Sequence, residues 1–572
     1  MPVFFNGRLW VSPATMSMVN DSKMYNSNLS VGNVLALVGS ATGGTPNTAL
    51  TFGNPADAAA VLRGGDLLNA VQRAFTPSSQ SPGPSSITVV RTNPATQSAL
   101  TLSDSLSNPV ITLTSKNYGL LDNQIAVKVE AGSTVGLKLT TMFGTSYASV
   151  DNLIRQALTI QYAGTGTALM TVTNTTFNVT LNGVLTSIDL TQFATIQALV
   201  TRLSAITGIT ASVVSGSQNF AALNGLDGAT SVDIKTAPVT ATGTLQACID
   251  WFNSSANPYV GAARPTNAVN APALLPYTFL SGGVDGAVTN TQWANAFTVL
   301  QSVNAQWVVP LSGDPSVAAM ADAHVQFMSN IGRKERRAIC GTTLATSDTA
   351  AITAALALNS DRTSLVHLGI YDYDANGNLV LFAPYIAAAM IAGAFAGLNP
   401  GTPMTNKSIS VRGLERTLRN PTDTDALING GVLCLEATSS GFKVVQSIST
   451  WLTNSNFNRR EISVGWALDF VMANVRAAVN DLRGGKNNPI TLALAVEKAE
   501  SALRLLALPE PGGPGVIVGD ANSPAYKGIT ASISNDVLAV SFQCSPVLPT
   551  NYIPVVCYAV PYSGTASQVA AQ

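Results

Sequence analysis

A short apolar strand followed by a helix recurs at both ends of this chain, and that rhythm restricts the fold more than any other feature. Val34 to Val38 is a continuous apolar run, Ala56 to Phe75 has helical spacing, and Ile87 to Arg91 is a second apolar run. Uninterrupted apolar strands separated by a helix indicate parallel pairing with both sheet faces covered, because a half-exposed strand would alternate. The rhythm resumes at Tyr277. Trp293, Phe297, Leu300 and Val303 make one helical stripe and lead to the strand Trp307 to Leu311. Val317, Ala321, His324, Met328 and Ile331 make the next, before the strand Ala338 to Cys340. Helix Asp348 to Leu358 precedes strand Leu365 to Tyr371, and Asn378 to Phe382 precedes an Ala-rich helix beginning after Pro384. The expected fold class is α/β, a discontinuous, mostly parallel sheet with helices on both faces.

From about Thr96 to Pro272 the character changes to Thr, Ser, Asn and Gly with short alternating strands. The clearest element is a hairpin: Phe177 to Leu181, then Asn182-Gly183, then Val184 to Leu190. Asn-Gly suits the two turn positions, which both need positive φ. Phe193, Ile196, Leu199, Leu203 and Ile206 follow on one helical face, before a strand near Ile209 to Val214. The expected division is therefore an N-terminal arm (1–30), a core built from 31–95 and 275–545, an inserted β-rich α+β region (96–274) and a C-terminal arm strand (546–572). The insertion has no cluster of His, Cys or paired carboxylates, so decoration or spacing is expected of it ahead of receptor binding or carbohydrate cleavage.

At 572 residues the chain exceeds what one core usually holds. Charged residues are 11 %, against roughly 25 % in an average soluble domain. A surface built mostly of Thr, Ser, Asn, Gln and Gly has little charge repulsion to keep copies apart, so much of it is expected to meet other subunits. The net charge of -1 gives no reason to expect nucleic acid or an anionic membrane as partner. Leu379 to Leu398 is free of charge, but Pro384 divides it into a strand and a helix, so no membrane span is expected. The N-terminus lacks a basic region followed by a long apolar run, so no secretory signal is expected.

Candidate chemistry is sparse. Gly39, Gly43 and Gly44 follow the first strand, yet neither phosphate-binding glycine pattern is met, which leaves a tight strand exit. The cysteines Cys248, Cys340, Cys434, Cys544 and Cys557 are scattered without a C-x-x-C, so buried free thiols are expected, with a Cys544–Cys557 bridge between terminal strands as the alternative. The two histidines, His324 and His367, fall on apolar elements and read as core residues, and no catalytic, metal or cofactor-binding residue is assigned. Arg333, Lys334, Arg336 and Arg337 end a helix, where cations meet its carbonyl end, or else bridge to a neighbouring subunit.

Two long helices close the core. Val464, Leu468, Val471, Val475, Val479 and Leu482 form one apolar stripe, with Asp469, Arg476, Asn480 and Arg483 on a solvated face. The second opens at Asn488-Pro489 and buries Leu492, Val496, Ala499, Leu503 and Leu506. Val537 to Phe542 then alternates, and Pro546 to Pro549 separates it from a last strand, Tyr552 to Val560. A strand punctuated by Pro belongs at an edge.

The stretch Ala387 to Gly431 carries a family likeness. An Ala and Gly helix, then Pro403-Met-Thr-Asn-Lys407, Gly413-Leu-Glu415, Asp425-Ala-Leu-Ile428 returning to Gly431-Val432, and later Ile448-Ser-Thr-Trp-Leu-Thr453, resembles the tail sheath protein of contractile-tailed bacteriophages and their phage-derived relatives. VLALVGSATGG at Val34, the turn Gly64-Gly65-Asp66, SITVVRT at Ser86, Ser281 to Gly286 and Gly332 to Ile339 are similar to it as well, so the likeness covers about residues 30–95 and 275–560. The resemblance implies a non-enzymatic structural subunit of the virion tail, assembled in the host bacterial cytoplasm. It implies helical self-association around a tail tube protein, with baseplate and tail terminator proteins as further partners, and contraction from a metastable extended state without a cofactor. It further implies arms that add strands to neighbours, which points to Phe4, Phe5, Leu9 and Trp10 in the first arm. Val537, Leu538, Val540 and Phe542, with Tyr552, Ile553, Val555, Val556 and Tyr558, are the corresponding C-terminal residues. Arg476, Arg483 and Lys486 become candidate tube contacts. Two other classes stay open: a capsid or surface-layer protein, and a small-ligand enzyme using Asp250, Asp285 or Asp314.

Overall fold

The continuous apolar runs assemble into a six-stranded sheet. The computed structural model describes residues 3–5, 8–10 and 34–564, with side chains from 34 onward. The sheet order is Thr363–Val366, Arg337–Gly341, Trp307–Pro310, Val34–Gly39, Ser86–Arg91 and Ala49–Phe52. The first three strands pair in parallel, with Trp307 opposite Arg337 and Ala338 opposite Thr363. Leu35 to Val38, Ile87, Val89, Val308, Val309 and Ile339 are wholly buried, as a sheet covered on both faces requires.

Two expected elements are divided. Ala56 to Phe75 is not one helix but two, Pro55–Leu62 and Asp66–Phe75. Arg63 and Gly65 take positive φ between them, and a Cβ on Gly65 would lie 2.9 Å from the Ala41 Cα. The Thr42 amide donates to the Gly64 carbonyl and the Leu67 amide to the Ser40 carbonyl, so the break is tied to the exit of the first strand. Leu365 to Tyr371 likewise splits. Thr363–Val366 stays in the parallel sheet, whereas Ile370–Tyr373 pairs antiparallel with Leu379–Phe382 and Gly413–Leu414. An apolar run alone cannot show that a strand changes sheets partway along.

The chain forms two compact units: the described part of 1–37 with 70–88 and 303–572, and 38–69 with 89–302. In the first, helix Pro384–Gly397 is buried on nearly every side. Phe395 stacks on Trp307 with ring centroids 4.6 Å apart, and Trp466 meets Trp307 edge-on at 5.3 Å. Farther on, helices Ile462–Val479 and Pro489–Leu506 and the hairpin Tyr526–Ser534/Val537–Cys544 enclose a core that includes Val471, Leu503 and Ile517. Asn488 caps the second helix by accepting from the Thr491 amide at 2.9 Å. Ala499, Leu503 and Leu506 are buried as expected, whereas Leu492 and Val496 are only half-buried and Ala495 is buried in their place. Ile462–Leu482 is long and apolar enough to cross a membrane, and 61 % of that window is buried within the structure, as in a core helix.

The second unit holds two hydrophobic cores. One joins the sheets around Val110–Leu113 and Ile125–Val129 to helix Thr244–Asn253. The other lies between Gln156–Tyr162, Thr176–Leu181 and helix Ile196–Ser204, whose Ile196, Leu199 and Leu203 point inward. The hairpin pairs Phe177 with Ile188 around Asn182 and Gly183, both at positive φ.

Candidate functional site

The residues singled out in the sequence gather at the chain ends and on the C-terminal helices. Val3–Phe5 pairs with Arg8–Trp10, placing Phe4 opposite Leu9 and Phe5 beside Arg8. The segment is thus a short hairpin with itself; the side chains of Phe4, Phe5, Leu9 and Trp10, and residues 11–30 of the expected arm, lie outside the described residues.

Val537–Cys544 pairs antiparallel with Tyr526–Ser534 in a two-stranded sheet, so each strand keeps an outer edge without a strand partner among the described residues. Val540 and Phe542 turn toward their own chain's core with Ile529, whereas Val537 is 57 % exposed. The outer edge of this strand is backbone, and its inward side chains are occupied within the chain.

Tyr552 to Val560, read in the sequence as an edge strand for a neighbouring subunit, forms no strand within the single chain. Tyr552, Ile553, Val555, Val556 and Tyr558 are 70 to 87 % exposed. A strand needs a partner for its backbone groups, and the chain supplies none to this segment among the described residues.

The basic residues are used differently from the reading in sequence. Arg336 and Arg337 do not flank a helix end in water: both are buried. Arg336 lies 2.9 Å from the His324 Nε2 and donates to the Val303 carbonyl at 2.8 Å. Burial lowers its guanidinium to about 10, and burial together with Arg336 holds the His324 imidazole down at about 4. Arg337 and Arg362 both reach Asp469 at 3.0 Å. Asp469, expected on a solvated face, is therefore the anion of a triad largely withdrawn from water, with 8 to 15 % of each side chain exposed. Burial lowers Arg337, while in Arg362 burial is outweighed by Asp469 together with Asp361 and Glu335, and its guanidinium is raised. Arg476 pairs with Glu335 and donates to the Arg333 carbonyl at 2.9 Å, so it is engaged within the chain. Arg483 and Lys486 are exposed.

The candidate carboxylates also have separate duties. Asp250 pairs with Arg155 at 2.6 Å, Asp285 with buried Arg91 at 3.2 Å, and Asp314 caps helix Pro315–Asn330 by accepting from the Ser316 amide at 2.8 Å. His367 Nε2 lies 3.1 Å from Asp348. Cys248, Cys340 and Cys434 are buried free thiols, but Cys544 is half-buried and Cys557 exposed, with no bond between them. The sequence reading put Asp469 on a solvated face and passed over buried Glu461; each is a lone acid beside apolar residues in a helical pattern, which was the available signal.

No protein-family model matches the chain. It is 29 % identical over a 585-residue alignment to the tail sheath protein of Bacillus phage SP01, covering 98 % of both chains. The chain is similar along nearly its whole length to a phage tail sheath protein. A putative tail sheath protein of Enterococcus phage phiEF24C is 28 % identical, over 82 % of this chain and 84 % of its own. The fold is shared with the crystal structure of a sheath tail protein from Desulfitobacterium hafniense, with TM-score 0.55 and 14 % identity over 93 % of this chain and all of that one. A sheath tail protein from Listeria innocua superposes with the same TM-score at 15 % identity, over 90 % of this chain and 92 % of that one.

Proposed function

We propose that this chain is the structural subunit of a contractile tail sheath. Copies polymerise helically around a tail tube, starting from a baseplate and ending at a terminator, and are assembled in the host bacterial cytoplasm. The sheath is held in a metastable extended state and shortens to drive the tube through the bacterial envelope. The observation that carries this reading is likeness to a tail sheath protein over 98 % of both chains. The exposed segment after Asn551 supports it: apolar side chains from Tyr552 to Tyr562 stand in water, and backbone pairing with a sheet edge is the general way such a segment is covered. The unpaired edges of the Tyr526–Ser534/Val537–Cys544 hairpin are the edges such a strand would join. The core supplies a rigid body, and contraction then requires two packings of that body with different interface energies. Exposed Arg483 and Lys486 are the proposed tube contacts, with Arg476 held nearer the body by Glu335.

Negative-stain microscopy tests the reading. Wild-type protein is expected to form hollow ribbed tubes, and discrete particles or flat sheets in their place would end the sheath proposal. Removal of 552–572 is expected to leave the thermal midpoint unchanged and the protein monomeric. Tubes of ordinary length from the truncated chain would refute strand exchange.

A further inference from the structure

We infer that Glu461 and Asn551 form a clamp that fixes where the C-terminal segment leaves the body. The inference goes beyond the sheath reading and concerns the single chain. Upstream, the segment is paired to the body by backbone bonds, Ser545 N–H to Ala525 O at 2.9 Å, Val518 N–H to Ser545 O at 2.9 Å and Val547 N–H to Val516 O at 3.0 Å. Downstream, every residue from Tyr552 to Gly564 is exposed. Asn551 stands between these regimes. Its Nδ2 donates to the Glu461 Oε2 at 3.3 Å, and its Oδ1 is buried without a hydrogen-bond partner.

Glu461 is built into the body. It is 1 % exposed, its residue bridges antiparallel to Ile448, and the Ile462 amide beside it donates to the Ser447 carbonyl at 3.2 Å. The Ser447 hydroxyl donates to its Oε1 at 2.5 Å and the Ser463 hydroxyl to the same oxygen at 3.4 Å. The side chains bonded to it, Ser447, Gln446, Ser463 and Asn551, are uncharged, and burial raises its carboxyl above the ordinary range against their pull. Adjacent Arg459 pairs with Asp361, and Arg460 donates to the Ile428 carbonyl. A carboxyl so buried depends on every polar partner it has, since each unmade bond leaves a desolvated group uncompensated. Asn551 is the partner that comes from the departing segment.

The clamp sets reach. Twenty-one residues, 552–572, extend beyond it, at most about 75 Å when fully stretched. If the anchor retreated to Val547, four more residues would be freed, adding about 14 Å. A strand that must find a particular edge would then search a larger volume.

Hydrogen exchange on the monomer, read by mass spectrometry, tests this. The peptide 545–551 reports the clamp, and helix Pro489–Leu506 serves as the internal control. Asn551→Ala is expected to speed exchange in 545–551 about tenfold and leave the helix unchanged. Asn551→Asp sets a second carboxyl against Glu461; the two can share a proton in acid but repel when both ionise. Its exchange, corrected for intrinsic rates, is expected to match wild type in acid and rise about tenfold as the pH passes through neutrality. In Glu461→Gln, amide bonding is kept and the charge removed, so combining it with Asn551→Asp is expected to abolish that pH dependence. Exchange in Asn551→Asp that ignores pH, or any Asn551 variant that loosens the helix as much as 545–551, overturns the clamp. Failure of wild-type protein to form tubes would refute the sheath reading and leave this measurement intact.

Discussion

Asp469 shows how the energetic weight of a charged residue depends on its surroundings. It sits between Arg337 and Arg362 with 13 % of its side chain exposed. Removing one member of a buried set strands the others, a loss of about 3–5 kcal/mol. Asp469→Ala is therefore expected to lower stability by about that amount, measured by urea unfolding. Asp481→Asn, by contrast, breaks the pair with Lys498, in which the carboxylate is 66 % exposed, and is expected to leave the midpoint where it is. His324 supplies a pH dependence. Its folded value is about 4, below the ordinary 6.5, so the unfolded chain takes up the proton first. Stability is accordingly full above about 6.5 and falls as the pH drops through the window from there to about 4. Denaturant midpoints against pH are expected to decline more steeply over that range for wild type than for His324→Gln.

Among the elements, helix Pro384–Gly397 depends most on close approach. A Cβ on Gly393 would fall 2.4 Å from the Ala74 carbonyl oxygen, and one on Gly397 would fall 2.5 Å from the Gly83 backbone. Alanine raises intrinsic helix propensity by roughly 1 kcal/mol. Overpacking against immovable backbone costs typically about 1–3 kcal/mol. Gly393→Ala is therefore expected to be net destabilising, seen as a lower urea midpoint with an unchanged slope. The small-residue composition of this helix was plain in the sequence; which backbone it touches was not, because Ala74 lies more than three hundred residues earlier. Phase was similarly half-legible in Pro489–Leu506. Its start at Asn488-Pro489 and the burial of Ala499, Leu503 and Leu506 followed from capping and periodicity, whereas the choice of Ala495 over Leu492 and Val496 in the first turns depended on tertiary packing.

At the scale of the whole molecule, the insertion holds a core that closes on itself. Leu158, Phe177, Leu199 and Leu203 are wholly buried within it, and the Gly243 amide donates to the Arg155 carbonyl at 2.8 Å where the chain enters and leaves. A fragment of residues 155–243 is thus expected to fold alone, with a cooperative thermal transition by circular dichroism; a non-cooperative melt would count against an independent body. The strand-and-helix rhythm, the Asn182-Gly183 hairpin and the helix caps were determined by the sequence itself, because periodicity and turn chemistry act over a few neighbouring residues. The tertiary structure alone decided that Ile370–Tyr373 leaves the parallel sheet, that Arg337 and Asp469 meet inside, and that Tyr552 to Val560 stays unpaired in a single chain. Each depends on groups far apart along the chain or lacking a partner within it. Local pattern carries no record of such meetings, since their energy arises only when water is excluded from between them.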